Sequence, residues 1–189
     1  NGQTRWCLWL KNANPTDLKE AKSVTDRIEK VRKHRAESTR EATQKLANFP
    51  TLFGEDRQPN NEYVLIPRHS SENRKYIPMG FFNQNSIASD SCLFIEGANL
   101  FHFGVLMSSL HIAWVKNMCG RIKSDFRYSN ELVYNNYPWP ENPTDKQIKA
   151  IETAAQKVLE ARQQFPNSAL SDLYAPSTMP PALVKAHLD

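Results

Sequence analysis

The chain has 189 residues, of which 40% are hydrophobic, 10% aromatic and 23% charged, with a formal net charge of +4 and a pI near 9.0. That balance excludes wholesale disorder and leaves room for one large domain or two small packed ones. The longest apolar stretch, residues 100–115, is interrupted by His102, Ser108, Ser109 and His111, which excludes a membrane span.

In chain order, Trp6-Cys7-Leu8-Trp9-Leu10 reads as a short buried strand. Asn14-Pro15 then turns into a helix capped by Thr16, with Asp17 and Glu20 following the cap. Leu18, Ala21, Val24, Ile28 and Val31 form one apolar stripe on that helix, which is expected to run to about Arg35. A second helical piece follows around residues 38–47, and Pro50 lies beyond its end. Residues 51–61 are polar and turn-rich. Glu62 to Pro67 and Tyr76 to Phe82 read as strands, separated by a polar loop over residues 69–74. Ile87 to Asp90 and Leu93 to Ile95 suggest one or two more.

From Leu100 the pattern changes to a largely buried helix running to Met118, with Gly120 expected as its C-terminal cap. Residues 121–137 are mixed polar and aromatic, and Pro138-Trp139-Pro140 is rigid. A clear amphipathic helix spans about residues 145–164, capped by Thr144. A short helix over residues 169–174 and a last one from about Ala182 complete the chain. The expected class is α+β: a small strand-containing unit with an N-terminal helix over residues 1–103, then a helical unit over residues 104–189.

Cys7, Cys92 and Cys119 are odd in number and lack metal-ligand spacing. They read as small buried thiols in a reducing cytoplasm. No signal peptide is visible, and the chain starts at Asn1 without methionine, so it reads as a piece of something longer. Phosphate-binding glycine loops, zinc-ligand clusters, a nucleophile elbow and an Asn-Pro-Pro-aromatic segment are all missing from the sequence.

Four segments carry candidate chemistry. In His69-Ser70-Ser71-Glu72-Asn73-Arg74-Lys75-Tyr76, arginine suits guanine, asparagine adenine and glutamate cytosine, while serine and lysine suit phosphate. A polar surface loop is the plainer account. In residues 120–129, Arg121, Lys123 and Arg127 alternate with Ile122, Phe126 and Tyr128, beside Ser124 and Asp125. Such interleaving suits a nucleic-acid backbone or an unstacked base, or simply a helix end. Trp139, between two prolines, suits packing more than stacking. Arg27, Lys30, Arg32, Lys33, Arg35 and Arg40 form a basic face interleaved with Asp26, Glu29, Glu37 and Glu41, which suits a solvated, ion-paired surface. His102 and His111 read as hydrogen-bonded core or interface residues. Residue chemistry alone leaves four readings open: duplex DNA binding, an RNA- or single-strand-binding module, a helical interaction domain, and an enzyme whose site carries none of these motifs.

Several linked motifs also resemble a known family. They are Ile66-Pro67-Arg68-His69-Ser70-Ser71-Glu72-Asn73-Arg74-Lys75-Tyr76-Ile77-Pro78-Met79-Gly80-Phe81, Phe103-Gly104-Val105-Leu106-Met107-Ser108-Ser109-Leu110-His111-Ile112-Ala113-Trp114, and Gly120 to Ser129 continuing to Tyr134-Asn135-Asn136-Tyr137-Pro138-Trp139-Pro140. Together they resemble the target-recognition and C-terminal domains of type IIL, MmeI-like restriction–modification DNA adenine methyltransferases. The resemblance implies that S-adenosylmethionine serves a catalytic domain upstream, with no cofactor and no catalytic residue in this piece. It further implies that this piece grips double-stranded DNA in the bacterial cytoplasm and helps hold a flipped adenine. Ser70, Ser71, Glu72, Asn73, Arg74, Lys75, Arg121, Lys123, Ser124, Arg127 and Tyr128 match the recurring motifs and are the expected DNA-binding residues. Recurring motifs suit backbone gripping, so base choice is expected in residues 51–61 and 83–99 as well.

Overall fold

The computed structural model describes residues 5–188. The described residues form two compact units, residues 5–57 and residues 58–188.

The first unit is helical: α1 (Pro15–Glu20), α2 (Lys22–Ala36), α3 (Glu41–Lys45) and a 3₁₀ turn (Leu46–Asn48). Asn14, not Thr16, caps α1, its side-chain oxygen accepting from the Thr16 N–H at 3.0 Å, and Pro15 sits at the first helical position. The single helix expected here is broken at Ala21, whose φ and ψ of −85° and 75° lie outside the helical region. Val24, Ile28 and Val31 keep the expected stripe, and Arg35 continues it one turn on. The Arg35 guanidinium donates to the carbonyls of Leu46, Phe49 and Leu52 at 3.1, 2.8 and 2.8 Å, tying α2 to the end of the unit. Residues 6–10 form no strand, because no backbone ladder among the described residues pairs with them. Trp6 is 93% exposed, and Trp9 instead stacks on Phe53 with ring centroids 5.2 Å apart.

The second unit is mixed α+β. β1 (Tyr63–Pro67) lies between β3 (Gly80–Phe82) and β4 (Cys92–Glu96) in an antiparallel sheet. Its aromatic and branched residues suit a central strand, and Tyr63, Val64 and Ile66 are almost fully buried. A second antiparallel sheet has the order β2 (His69–Ser70), β6 (Asp125–Arg127), β5 (Gly120–Ile122). Arg68 is the bend between the two sheets: its N–H donates to Ser91 at 2.9 Å and its carbonyl accepts from Tyr128 at 2.8 Å. Of the expected second strand only its end pairs, and residues 87–90 form none.

The long helix expected to Met118 is two helices, α4 (Leu100–Leu106) and α5 (Ser109–Met118). Ser108 separates them by capping α5, its Oγ accepting from the His111 N–H at 3.1 Å. The division expected after residue 103 falls inside α4. The cap of α5 is Cys119, and Gly120 opens β5 rather than ending a helix. A π-helical turn (Asn130–Tyr134) leads to α6 (Asp145–Gln163), where Thr144 and Gln147 form a reciprocal capping box as the sequence indicates. α7 (Leu170–Leu173) and α8 (Pro181–Leu188) follow.

The core of this unit joins β1, α4, α5, α6 and α8. Buried Arg162 on α6 organises it. Its guanidinium donates to the Met79 carbonyl at 2.8 Å and twice to the Tyr174 hydroxyl, and it lies over the rings of Phe103 and Tyr174. Tyr174 Oη is 2.8 Å from His187 Nε2, and the His187 ring stacks on Tyr76 at 3.9 Å. The cysteines are less enclosed than expected: Cys7 is exposed, Cys92 and Cys119 are half-buried, and all three are free thiols.

Candidate nucleic-acid interface

The second sheet joins two segments that lie about fifty residues apart. His69 pairs with Arg127 and Ser70 with Phe126, while Gly120, Arg121 and Ile122 pair with Arg127, Phe126 and Asp125. The loop after β2 therefore sits beside the β5–β6 hairpin. Each of the eleven expected DNA-binding residues lies on this sheet or on the loops that extend it.

Their environments divide them. Ser71 is half-buried, and Glu72, Asn73, Lys75, Lys123, Ser124 and Arg127 are exposed. Lys123 and Ser124 form the two-residue tip of the hairpin, with Lys123 at a positive φ of 55°. Such a turn is normally filled by glycine or asparagine, and here it carries a cation at its apex.

The remaining residues are tied down by the protein itself: Ser70 and Tyr128 are buried, Arg74 is half-buried and Arg121 is exposed but bonded to its neighbours. Tyr128 is 1% exposed, and its hydroxyl is 3.0 Å from Nε2 of the equally buried His111. Burial pushes the Tyr128 phenol well above its ordinary range. It also lowers the His111 pKa to about 4, although the hydrogen bond to the Leu106 backbone works the other way. Arg74 donates to the Ser171 carbonyl at 2.9 Å, which ties the loop to α7. Burial draws its pKa below the usual arginine value, opposed by Asp172. Arg121 lies over the Phe126 ring at 4.3 Å and donates to the carbonyls of Ser124 and Lys116 at 2.9 and 3.1 Å. A carboxylate oxygen of Glu72 approaches it at 3.7 Å, and the Glu72 N–H meets Asp125 at 3.4 Å, so the loop and the hairpin are stitched together.

Sequence reading missed the role of Arg68, because nothing in the run from Pro67 into the polar loop signals a bend between two sheets. Arg68 Nε and Ser70 Oγ are buried without a hydrogen-bond partner among the described residues. The 83–91 loop is pinned by Gln58, whose side-chain amide donates to Gln84 and Ser86 and accepts from the Ala88 N–H. His102 completes the Asn99 capping box of α4, and Trp139 packs edge-on against Tyr134, Tyr137 and His102, so both serve structure. Among the described residues no cluster of three or more His, Cys, Asp or Glu is placed to hold a metal ion, and no helix is long and apolar enough to cross a membrane.

Comparison with known proteins gives a consistent result. Residues 1–141 match the family model described as the MmeI target recognition domain, and residues 143–189 match the MmeI C-terminal domain. The chain is 40% identical over 187 residues to DNA methyltransferase A of Bacillus subtilis (strain 168), covering 99% of this chain and 21% of that protein. It superposes on the type IIL restriction–modification enzyme MmeI, solved in complex with DNA, with a TM-score of 0.93 at 44% identity, covering 97% of this chain and 24% of MmeI. The chain thus spans less than a quarter of either relative's length. With both family models matched in order and a superposition over almost every residue, the chain belongs to the MmeI family and comprises its target recognition and C-terminal domains.

Proposed function

We propose that this chain is the DNA-reading part of a site-specific DNA methyltransferase. In this reading it binds double-stranded DNA and presents the target adenine to a catalytic domain elsewhere in the same polypeptide. The observation that carries the reading is the second sheet, which gathers the polar 70–75 loop and the 121–128 hairpin into one surface. Ser71, Glu72, Asn73, Lys75, Lys123, Ser124 and Arg127 are the proposed contact residues. Ser70, Arg74, Arg121 and Tyr128 hold them in place. Residues 83–91, exposed beyond the first sheet, are the proposed additional base-reading loop.

The methyl donor in this reading is S-adenosylmethionine, the acceptor is the adenine N6 amine, and both belong to the catalytic domain. A bacterial cytoplasmic location goes with that role. Duplex binding by the chain is measured by fluorescence anisotropy against single-stranded DNA and RNA competitors. The reading expects the duplex to win and the chain alone to transfer no methyl group from S-adenosylmethionine. Preference for a single strand, or turnover by the chain alone, overturns it.

A further inference from the structure

The net charge of the chain is not spread over its two units. Residues 4–57 hold twelve Lys/Arg against eight Asp/Glu, while residues 58–189 hold twelve of each. The whole +4 therefore belongs to the helical unit, and the unit with the proposed base-reading surface is neutral. A neutral unit has little long-range attraction for a polyanion, whereas phosphate contacts dominate the sequence-independent part of DNA affinity.

The excess is organised on α2. Lys22, Asp26, Lys30 and Lys33 follow one another at steps of four and three, with Arg27 and His34 beside them. This stripe lies across the helix from Val24, Ile28 and Arg35. All of its members are exposed. Three cations on the helix are engaged: Arg35 with three carbonyls, Arg32 with Glu29 at 3.2 Å and, within the stripe, Lys33 with Glu37 at 3.8 Å. Lys22, Arg27 and Lys30 form no ion pair among the described residues. Asp26 is the one acid within the run from Lys22 to Lys30 on that stripe.

We infer that α2 is a phosphate clamp, in which Lys22, Arg27 and Lys30 supply sequence-independent affinity for duplex DNA while the hairpin surface of the other unit supplies the choice of sequence. This inference rests on the DNA-reading function proposed above. It divides the work between units: removing α2 cations weakens every duplex alike, and removing hairpin side chains alters preference among duplexes.

The test titrates the 189-residue chain with labelled duplexes of several sequences, from about 50 to about 200 mM NaCl. In the K22Q/R27Q/K30Q variant the slope of log affinity against log salt is expected to flatten by roughly 2 to 3, by the same amount for every duplex. Glutamine keeps helix propensity close to that of the residues replaced, so circular dichroism should be unchanged. A second variant, E29Q/E37Q, frees Arg32 and Lys33 and is expected to steepen the slope. An unaltered slope in both variants overturns the clamp while leaving the DNA-reading proposal standing. Absence of salt-dependent duplex binding by the unaltered chain overturns that proposal and the clamp with it.

Discussion

Arg74 and Lys75 are adjacent cations of one motif with different surroundings. The Arg74 guanidinium is partly desolvated and donates to the Ser171 carbonyl, whereas Lys75 stands in solvent. Replacing Arg74 with Met is expected to lower unfolding stability by about 1–3 kcal/mol, because it leaves a carbonyl unpaired. Lys75→Gln is expected to leave stability within about 0.5 kcal/mol and reduce the salt slope of duplex binding by about 0.9. Urea titration and anisotropy on both variants separate the two effects.

His111 adds a pH dependence at the same scale. Its folded pKa of about 4 lies below the unfolded value of 6.5, so the unfolded chain binds more protons between those limits. Stability is therefore unaffected by this group above pH 6.5 and falls as pH drops from there towards 4, by up to about 3 kcal/mol. His187, also lowered to about 4 by burial and by Arg162, acts in the same direction. Urea midpoints should fall across that window, and His111→Gln should flatten the profile.

Among the elements, α4 and α6 pack closely at Gly104. A Cβ on Gly104 would stand 2.7 Å from the Ile151 side chain, 3.1 Å from the Ile151 carbonyl and 3.2 Å from the Ala155 Cβ. Gly104→Ala gains helix propensity of about 1 kcal/mol, but it must push two packed helices apart. The clash includes backbone, so a net loss of about 1–2 kcal/mol is expected, read as a lower melting temperature. The breaks between α1 and α2 and between α4 and α5 also belong to this scale. Apolar periodicity runs through both, and the interruption lies in a single ψ at Ala21 and a serine cap at position 108. Neither leaves a gap in the hydrophobic pattern.

At the scale of the whole molecule, the two units differ in more than charge. No described residue up to Arg57 is buried, while the second unit encloses Arg162, His111 and nineteen further residues of a common core. A unit without buried side chains draws little stability from apolar burial, so its order rests on the Asn14 cap, ion pairs, the Trp9–Phe53 stack and the Arg35 tie. That makes its surface cations available for a partner at small structural cost. Salt-dependent binding by the clamp variants tests this at the level where it operates.

The sequence by itself determined the elements whose signals are local. The capping box at Thr144, the stripe of α6, the apolar β1 and the cap-and-proline start of α1 are set by neighbours a few residues away, and so were legible within a residue or two. The motifs of the two candidate segments were also legible. Their meeting was not, because a register such as Ser70 opposite Phe126 depends on contacts fifty-six positions apart. The same applies to the sorting of adjacent cations: nothing local distinguishes Arg74, held by the Ser171 carbonyl ninety-seven positions away, from Lys75 in solvent. Residues 6–10 show the converse. Their composition suits a strand, but a strand exists only where another backbone completes its hydrogen bonds, and tertiary structure supplies none there.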